Sequence, residues 1–381
     1  MPRRLRALRV ARSAAGALTL TGSLLLTAPA SASLSACSPW TTFLPTGAGV
    51  GANILRGVAV TSRQNAWATD NYAAPSKPEA RIPHWNGSGW KPQRTPGPAG
   101  MHLYGIAAVT ASNAWAVGDY YDAAPGRFKT VIVHWNGRLW SRVASPSPAG
   151  AQAFLRGVAA TSASNAWAVG AYYPVTQGSQ GRTFILHWNG RAWSRVPSPN
   201  MGTGVNALGS VTATSGSNAW AAGVFYGKTD HTLILHWNGR TWARQRSTSP
   251  AGVVELNAVS ATSASNAWAV GQDSGLSNLI LHWNGRRWSR QPSPVGGIPG
   301  DLYGVVAISA HNVWAVGYYT RFTGAVRTQI VHLDRRGWSL IPSPNRATGE
   351  HVLLAVGASG TGNIWAVGQA GEKNLALHRH C

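Results

Sequence analysis

Carboxylates are scarce in this chain. Across 381 residues, 11 Asp and Glu stand against 33 Lys and Arg, for a formal charge of +22. Cysteine is nearly absent, with two residues, which excludes a disulfide-dense scaffold and thiolate metal clusters. After residue 30 no segment reaches the ~20 apolar residues of a membrane-spanning helix. No segment carries helical periodicity of useful length, so bundles and α/β folds are excluded as well. Phosphate loops, nucleophile motifs and metal-ligand spacings are missing too. No cofactor is expected.

What is present begins with a leader. Arg3, Arg4, Arg6, Arg9 and Arg12 form a basic stretch, Ala14–Ala28 is apolar, and Ala30-Ser31-Ala32 offers a small-residue cleavage site. Residues 1–32 therefore read as a secretory signal peptide, and residues 33–381 as one exported, extracellular domain. Leu34-Ser35-Ala36-Cys37 also fits a lipoprotein box that would lipidate Cys37. Without the leader the charge is still strongly positive, which favours anionic partners such as wall polymers, acidic glycans or membranes. Many arginines, among them Arg138, Arg142, Arg191, Arg195, Arg240 and Arg244, follow a Trp-Asn-Gly turn. Spread so regularly, they read as a solvated rim on an edge strand. They form no groove pattern, so no specific nucleic-acid partner is expected.

The dominant feature is a repeat. Asn-x-Trp-Ala, usually Asn-Ala-Trp-Ala-Val-Gly, places Trp67, Trp115, Trp167, Trp220, Trp268, Trp314 and Trp365 at intervals of about 50 residues. Each unit reads as four short strands. In the third unit these are a, Leu155–Ser162; b, Ala166–Tyr173; c, Thr183–Trp188; and d, Arg191–Val196. Asn189-Gly190 is a hairpin signal between c and d, and Pro197 stops d. The pattern predicts an all-β, seven-bladed β-propeller with one repeat per blade. Small residues at one slot of strand a (Gly57, Gly105, Gly157, Gly304) place that strand at the crowded axis.

The recurring side chains read as packing. All 19 tryptophans fall in three repeat slots, which predicts contacts between blades. Seven histidines, His84, His134, His187, His236, His282, His332 and His378, recur at the end of strand c. One histidine per blade cannot converge on a metal, so each is expected to bond the Ser/Thr/Asn turn of its own blade. The termini complement each other. Trp40–Pro45 is a strand d without a, b or c. Leu353–Val356, Asn363–Gly368 and Leu375–Cys381 are a, b and c without d. The N-terminal strand is thus expected to complete the seventh blade. Cys37 and Cys381 fall at the interrupted c–d turn, which predicts a disulfide across the ring closure.

In ring order the pattern is Trp-x-x-Val-Pro, Leu-x-Gly-Val, Asn-Ala-Trp-Ala-Val-Gly and Ile-Leu-His-Trp-Asn-Gly. This resembles the tectonin-type propeller repeat over nearly all of Trp40 to Cys381, although these blades are longer and number seven. The resemblance implies a lectin-like protein that binds glycans on cell surfaces.

Function is expected where the repeat breaks, on the face shared by the b–c and d–a loops. The residue before the leucine of strand a is Ile54, His102, Phe154, Ala207, Glu255, Asp301 or Val352. The residue after it is Arg56, Tyr104, Arg156, Gly209, Asn257, Tyr303 or Leu354. Both slots are expected to ring the mouth of the central channel. Tyrosines near the b–c loops surround them: Tyr72, Tyr120, Tyr121, Tyr172, Tyr173, Tyr226, Tyr318 and Tyr319. Aromatics mixed with Arg, Asn and carboxylates suit sugar recognition, so the expected ligand is a carbohydrate or anionic surface polymer. A protein partner, with the chain a monomeric scaffold in a secreted assembly, is the alternative. A second alternative is a glycosidase or lyase using the Glu255/Asp301 pair with His102 and Tyr303.

Overall fold

The computed structural model describes residues 38–43, 52–73, 79–176, 178–248, 254–345 and 349–381. The expected leader and Cys37 lie outside the described residues. Seven antiparallel sheets follow one another, each in the order a-b-c-d with a innermost. The chain is a seven-bladed β-propeller. In blade three the strands run Ala151–Ser162, Asn165–Pro174, Arg182–Trp188 and Trp193–Arg195. Strand a thus starts four residues before the leucine that marks it in sequence.

The motif Ala-Trp-Ala has a packing cause. Strand b is buried on both faces because a blade lies on each side of it. Its tryptophan enters one neighbouring blade while the flanking alanines make a flat floor for the tryptophan from the other. Trp67 of blade one sits in a cluster with Ala114 and Ala116 of blade two, and with Trp135 and Trp140. Ala66 and Ala68 meet Trp365 of blade seven in the next cluster. Trp67 meets Trp140 edge-on at 5.5 Å, and Trp115 meets Trp193 at 5.2 Å in the same way. Such pairs contribute about 0.5–1.5 kcal/mol each beyond their buried area.

Every recurring histidine has the partner expected of it. Each ring lies 3.8–4.2 Å from the strand-b tryptophan of its own blade. Each Nε2 pairs with the asparagine that opens strand b, at 2.6–3.3 Å. The rim arginines Arg138, Arg142, Arg191, Arg195, Arg240 and Arg244 are exposed.

Thr41–Phe43 pairs with Lys373–His380 and so forms the outer strand of blade seven. Trp40 packs edge-on against Trp314 of blade six at 5.8 Å. Arg379 takes the slot at the end of strand c that tryptophan fills in five blades and Leu333 in blade six, and its guanidinium lies 5.1 Å from the centre of the Trp314 ring. Ser38 N–H donates to the His380 carbonyl at 2.9 Å. The residues next to the two cysteines in sequence therefore meet.

Candidate functional site: the mouth of the central channel

Strand a does not pair evenly with strand b. In all seven blades the register slips just after the leucine, between Leu55 and Gly57, Leu103 and Gly105, Leu155 and Gly157, and so on round the ring. The skipped residue is a β-bulge, left out of the ladder and turned away from it. These seven residues are Arg56, Tyr104, Arg156, Gly209, Asn257, Tyr303 and Leu354, the slot after the leucine. All seven line one axial cavity of about 710 Å³. Below them the cavity continues along the axis past the small-residue slot, where neighbouring strands a crowd together. A Cβ on Gly105 would lie 2.9 Å from the Arg156 carbonyl of the next blade.

The same bulge accounts for the glycine that ends Asn-Ala-Trp-Ala-Val-Gly. A Cβ on Gly170 would sit 1.9 Å from the Phe154 carbonyl. Blade one departs from this, with Thr69-Asp70 in place of Val-Gly. Asp70 is buried and bonds Asn374 of blade seven. Burial pushes its carboxyl up to about 6, against the opposing pull of Asn374 and Arg81.

The slot before the leucine lies behind the mouth and does not line the cavity. On blades two and three, Asp119 is buried and ion-paired with Arg156. Burial raises the Asp119 carboxyl more than Arg156 lowers it. The Arg156 guanidinium covers one face of Tyr104, 4.0 Å from its ring centre, and His102 lies beside Tyr104. Phe154 and Ala207 border a side pocket of about 260 Å³ with Arg156 and Tyr173.

Blades five and six carry the opposite charge. Asn257 Nδ2 donates to Asp301 Oδ1 at 2.9 Å and to the Leu302 carbonyl at 3.1 Å. Tyr303 also bonds Asp301. Asp301 is only 2% exposed. Burial, then the nearby Glu255 carboxylate, lift its carboxyl to about 7. Glu255 accepts the Tyr226 hydroxyl at 2.8 Å. Tyr318 stacks on Tyr303, with ring centres 5.9 Å apart.

The remaining tyrosines divide. Tyr120 and Tyr172 face outward and are covered by the rim arginines Arg142 and Arg195. Tyr173 packs on Phe154, and exposed Tyr121 packs on Phe128. Tyr319 is half-buried, and the Tyr72 side chain lies outside the described residues. Among the described residues no three His, Cys, Asp or Glu side chains converge as a metal site would need. No helix there is long and apolar enough to cross a membrane.

No protein-family model matches the chain, and no curated protein sequence does. Solved structures do. The chain is similar to YCF48 bound to D1 peptide, with a TM-score of 0.57 and 12% identity over 90% of this chain and 97% of that one. It is similar to a protein of unknown function from Dyadobacter fermentans, with a TM-score of 0.55 and 10% identity over 91% of this chain and 98% of the other. It also resembles the Hadza microbial sialidase Hz136, with a TM-score of 0.50 and 10% identity over 90% and 92% of the two chains. At such identities the likeness is one of fold.

Proposed function

We propose that this chain is an exported binding module that holds carbohydrate at the mouth of its channel without cleaving it. The observation that carries this reading is the division of labour in the repeat. Tryptophan, histidine and asparagine of every blade are consumed by packing, while the seven divergent bulge residues converge on one cavity. About 710 Å³ lies within the range of small-ligand sites. Its Tyr, Arg and Asn side chains offer ring faces and paired hydrogen bonds, the two needs of a pyranose. The repeat's resemblance to tectonin-type propellers points the same way. Catalysis has less support, because Asp301 sits behind the wall and is held by Asn257, Tyr303 and the Leu302 backbone.

A protein partner is the second reading. Blades two to six each hold one exposed apolar side chain at the b–c loop: Tyr121, Val175, Tyr226, Leu276 and Phe322, the last 99% exposed. Such a crown suits a protein surface better than a sugar.

A glycan array probed with the mature chain and with Tyr104→Ala/Tyr303→Ala tests the first reading. Retention of glycans by the wild type, reduced tenfold or more by the double substitution, is the expected result. No retained glycan, or retention indifferent to both tyrosines, overturns it. Release of reducing sugar by the wild type makes the protein an enzyme instead.

A further inference from the structure

The mouth has two chemically opposite halves. Around blades one to three it presents donors. Arg56 and Arg156 both line the cavity, and the single Asp119 carboxylate engages only Arg156 Nη1. A guanidinium carries five N–H groups in a planar fork, so most of these donors stay available. Around blades five and six the mouth presents acceptors, and the reason lies one layer back. Both amide protons of Asn257 are taken, one by Asp301 Oδ1 and one by the Leu302 carbonyl. Only Asn257 Oδ1 is then left for the cavity. Tyr303 lines the cavity beside Asn257, and its hydroxyl oxygen offers lone pairs there. Behind these two acceptors stand the Asp301 and Glu255 carboxylates. Between the halves the bulge slot carries Gly209 on one side and Leu354 on the other, neither with a polar side chain.

A ligand that satisfies both halves carries a cationic donor at one end and an anion at the other. A neutral sugar would bring no anion to Arg56 and no cation to the acceptors that Asp301 and Glu255 stand behind. We propose that the mouth binds a zwitterionic saccharide, with an ammonium group against Asn257 Oδ1 and Tyr303 and a carboxylate against Arg56 and Arg156. Asp301 is then a positioning residue, which fixes the amide of Asn257 and supplies charge through it. This inference rests on the carbohydrate reading above and narrows it.

Four monosaccharides on one ring separate the two claims. Muramic acid carries both charges, N-acetylmuramic acid only the carboxylate, glucosamine only the amine, and N-acetylglucosamine neither. Titration of the full mature chain at pH 7, where the sugar amine is still protonated, should show muramic acid binding at least tenfold more tightly than either singly charged sugar. Glu255→Gln should shrink the preference for muramic over N-acetylmuramic acid to within about threefold. Arg56→Gln should do the same to the preference over glucosamine. Equal binding of all four sugars overturns this inference and leaves the carbohydrate reading standing. Binding of a Lys-Glu dipeptide with no sugar bound overturns both.

Discussion

The walls between blades and the mouth at their centre obey opposite rules. The seven contacts between a strand-b tryptophan and the strand-d tryptophan of the next blade are all edge-on at 5.1–5.8 Å, so the walls are copies of one contact. The seven bulge residues lining the axis include two Arg, two Tyr, one Gly, one Asn and one Leu. The backbone at those positions is as uniform as the walls, since the register slips at the same place in every blade. Only the side chains differ. A ring needs identical walls to close, whereas a bulged residue contributes no ladder bond and is free to vary. Repetition within a chain therefore marks stability here, and divergence on a fixed backbone marks the candidate site.

The hardest test of this contrast is to remove one wall and one mouth residue. Trp115 is buried against Trp188 and Trp193 of the next blade. Trp115→Ala should cost about 3–5 kcal/mol, and lower the melting temperature by roughly 10 °C. Tyr104→Ala should shift it by no more than ~2 °C while weakening ligand binding. Equal losses of stability in thermal unfolding would erase the distinction. The seam should matter almost as much as a wall. With Ser38 and His380 bonded, a Cys37–Cys381 bridge is expected, and Cys381→Ser should cost ~2–5 kcal/mol. An intact mass bearing a diacylglyceryl group in place of two lost protons would remove that expectation and favour a lipidated Cys37.

Acid should also separate the regions. Burial lowers the pKa of His84, His134, His187, His236, His282, His332 and His378, the last to about 4. The unfolded chain takes up these protons first. The stacks' contribution is thus complete above about 6.5 and is lost as pH falls below that, for His378 through about 4. Asp70 and Asp301, raised to about 6 and about 7, act with the opposite sign. Their contribution is complete below ~3.8 and is lost as pH rises through those values. Asp119, also raised by burial, acts as they do, yet seven groups outnumber three, so the melting temperature should fall steadily from pH 6.5 to pH 4. A melting temperature that climbs over that range would mean the histidine walls do not govern acid stability.

Sequence alone carried the walls but only half of the mouth. Asn-Ala-Trp-Ala and Trp-Asn-Gly mark strands b, c and d directly, because those residues make contacts that recur from blade to blade, Trp-Asn-Gly in five of them. Ring closure was legible for the same reason: Trp40 has the spacing of a strand-d tryptophan. The bulge was not. It is a property of two paired strands, and its trace is split between Leu-x-Gly in strand a and the final glycine of Asn-Ala-Trp-Ala-Val-Gly in strand b. Hence His102, Glu255 and Asp301, expected to ring the mouth with their bulged neighbours, stand a layer behind it. The Asp119–Arg156 pair crosses two blades, and no local pattern announces it. Blade one was atypical in sequence too. Pro83 lacks an N–H and splits its strand c into Glu79–Arg81 and His84–Trp85.

The smallest expected effect concerns whether the mouth is held at some cost to the fold. Asp301 is buried, and its carboxyl is lifted to about 7 by burial and by Glu255. Above that pH the fold must keep an ionised carboxylate away from water, beside another carboxylate. Asparagine has the same shape without the charge, and its oxygen can still accept from Asn257. Asp301→Asn should therefore leave stability unchanged at pH 5, where the native side chain is already protonated. At pH 8 it should raise stability by about 1 kcal/mol, or roughly 2–4 °C in melting temperature. Between pH 5 and pH 7, where the sugar amine stays protonated, the wild type should gain affinity for an amine-bearing sugar as Asp301 ionises, and the variant should not. A variant less stable than wild type at pH 8 would show instead that the ionised carboxylate is part of what holds blades five and six together. The mouth would then follow the same rule as the walls.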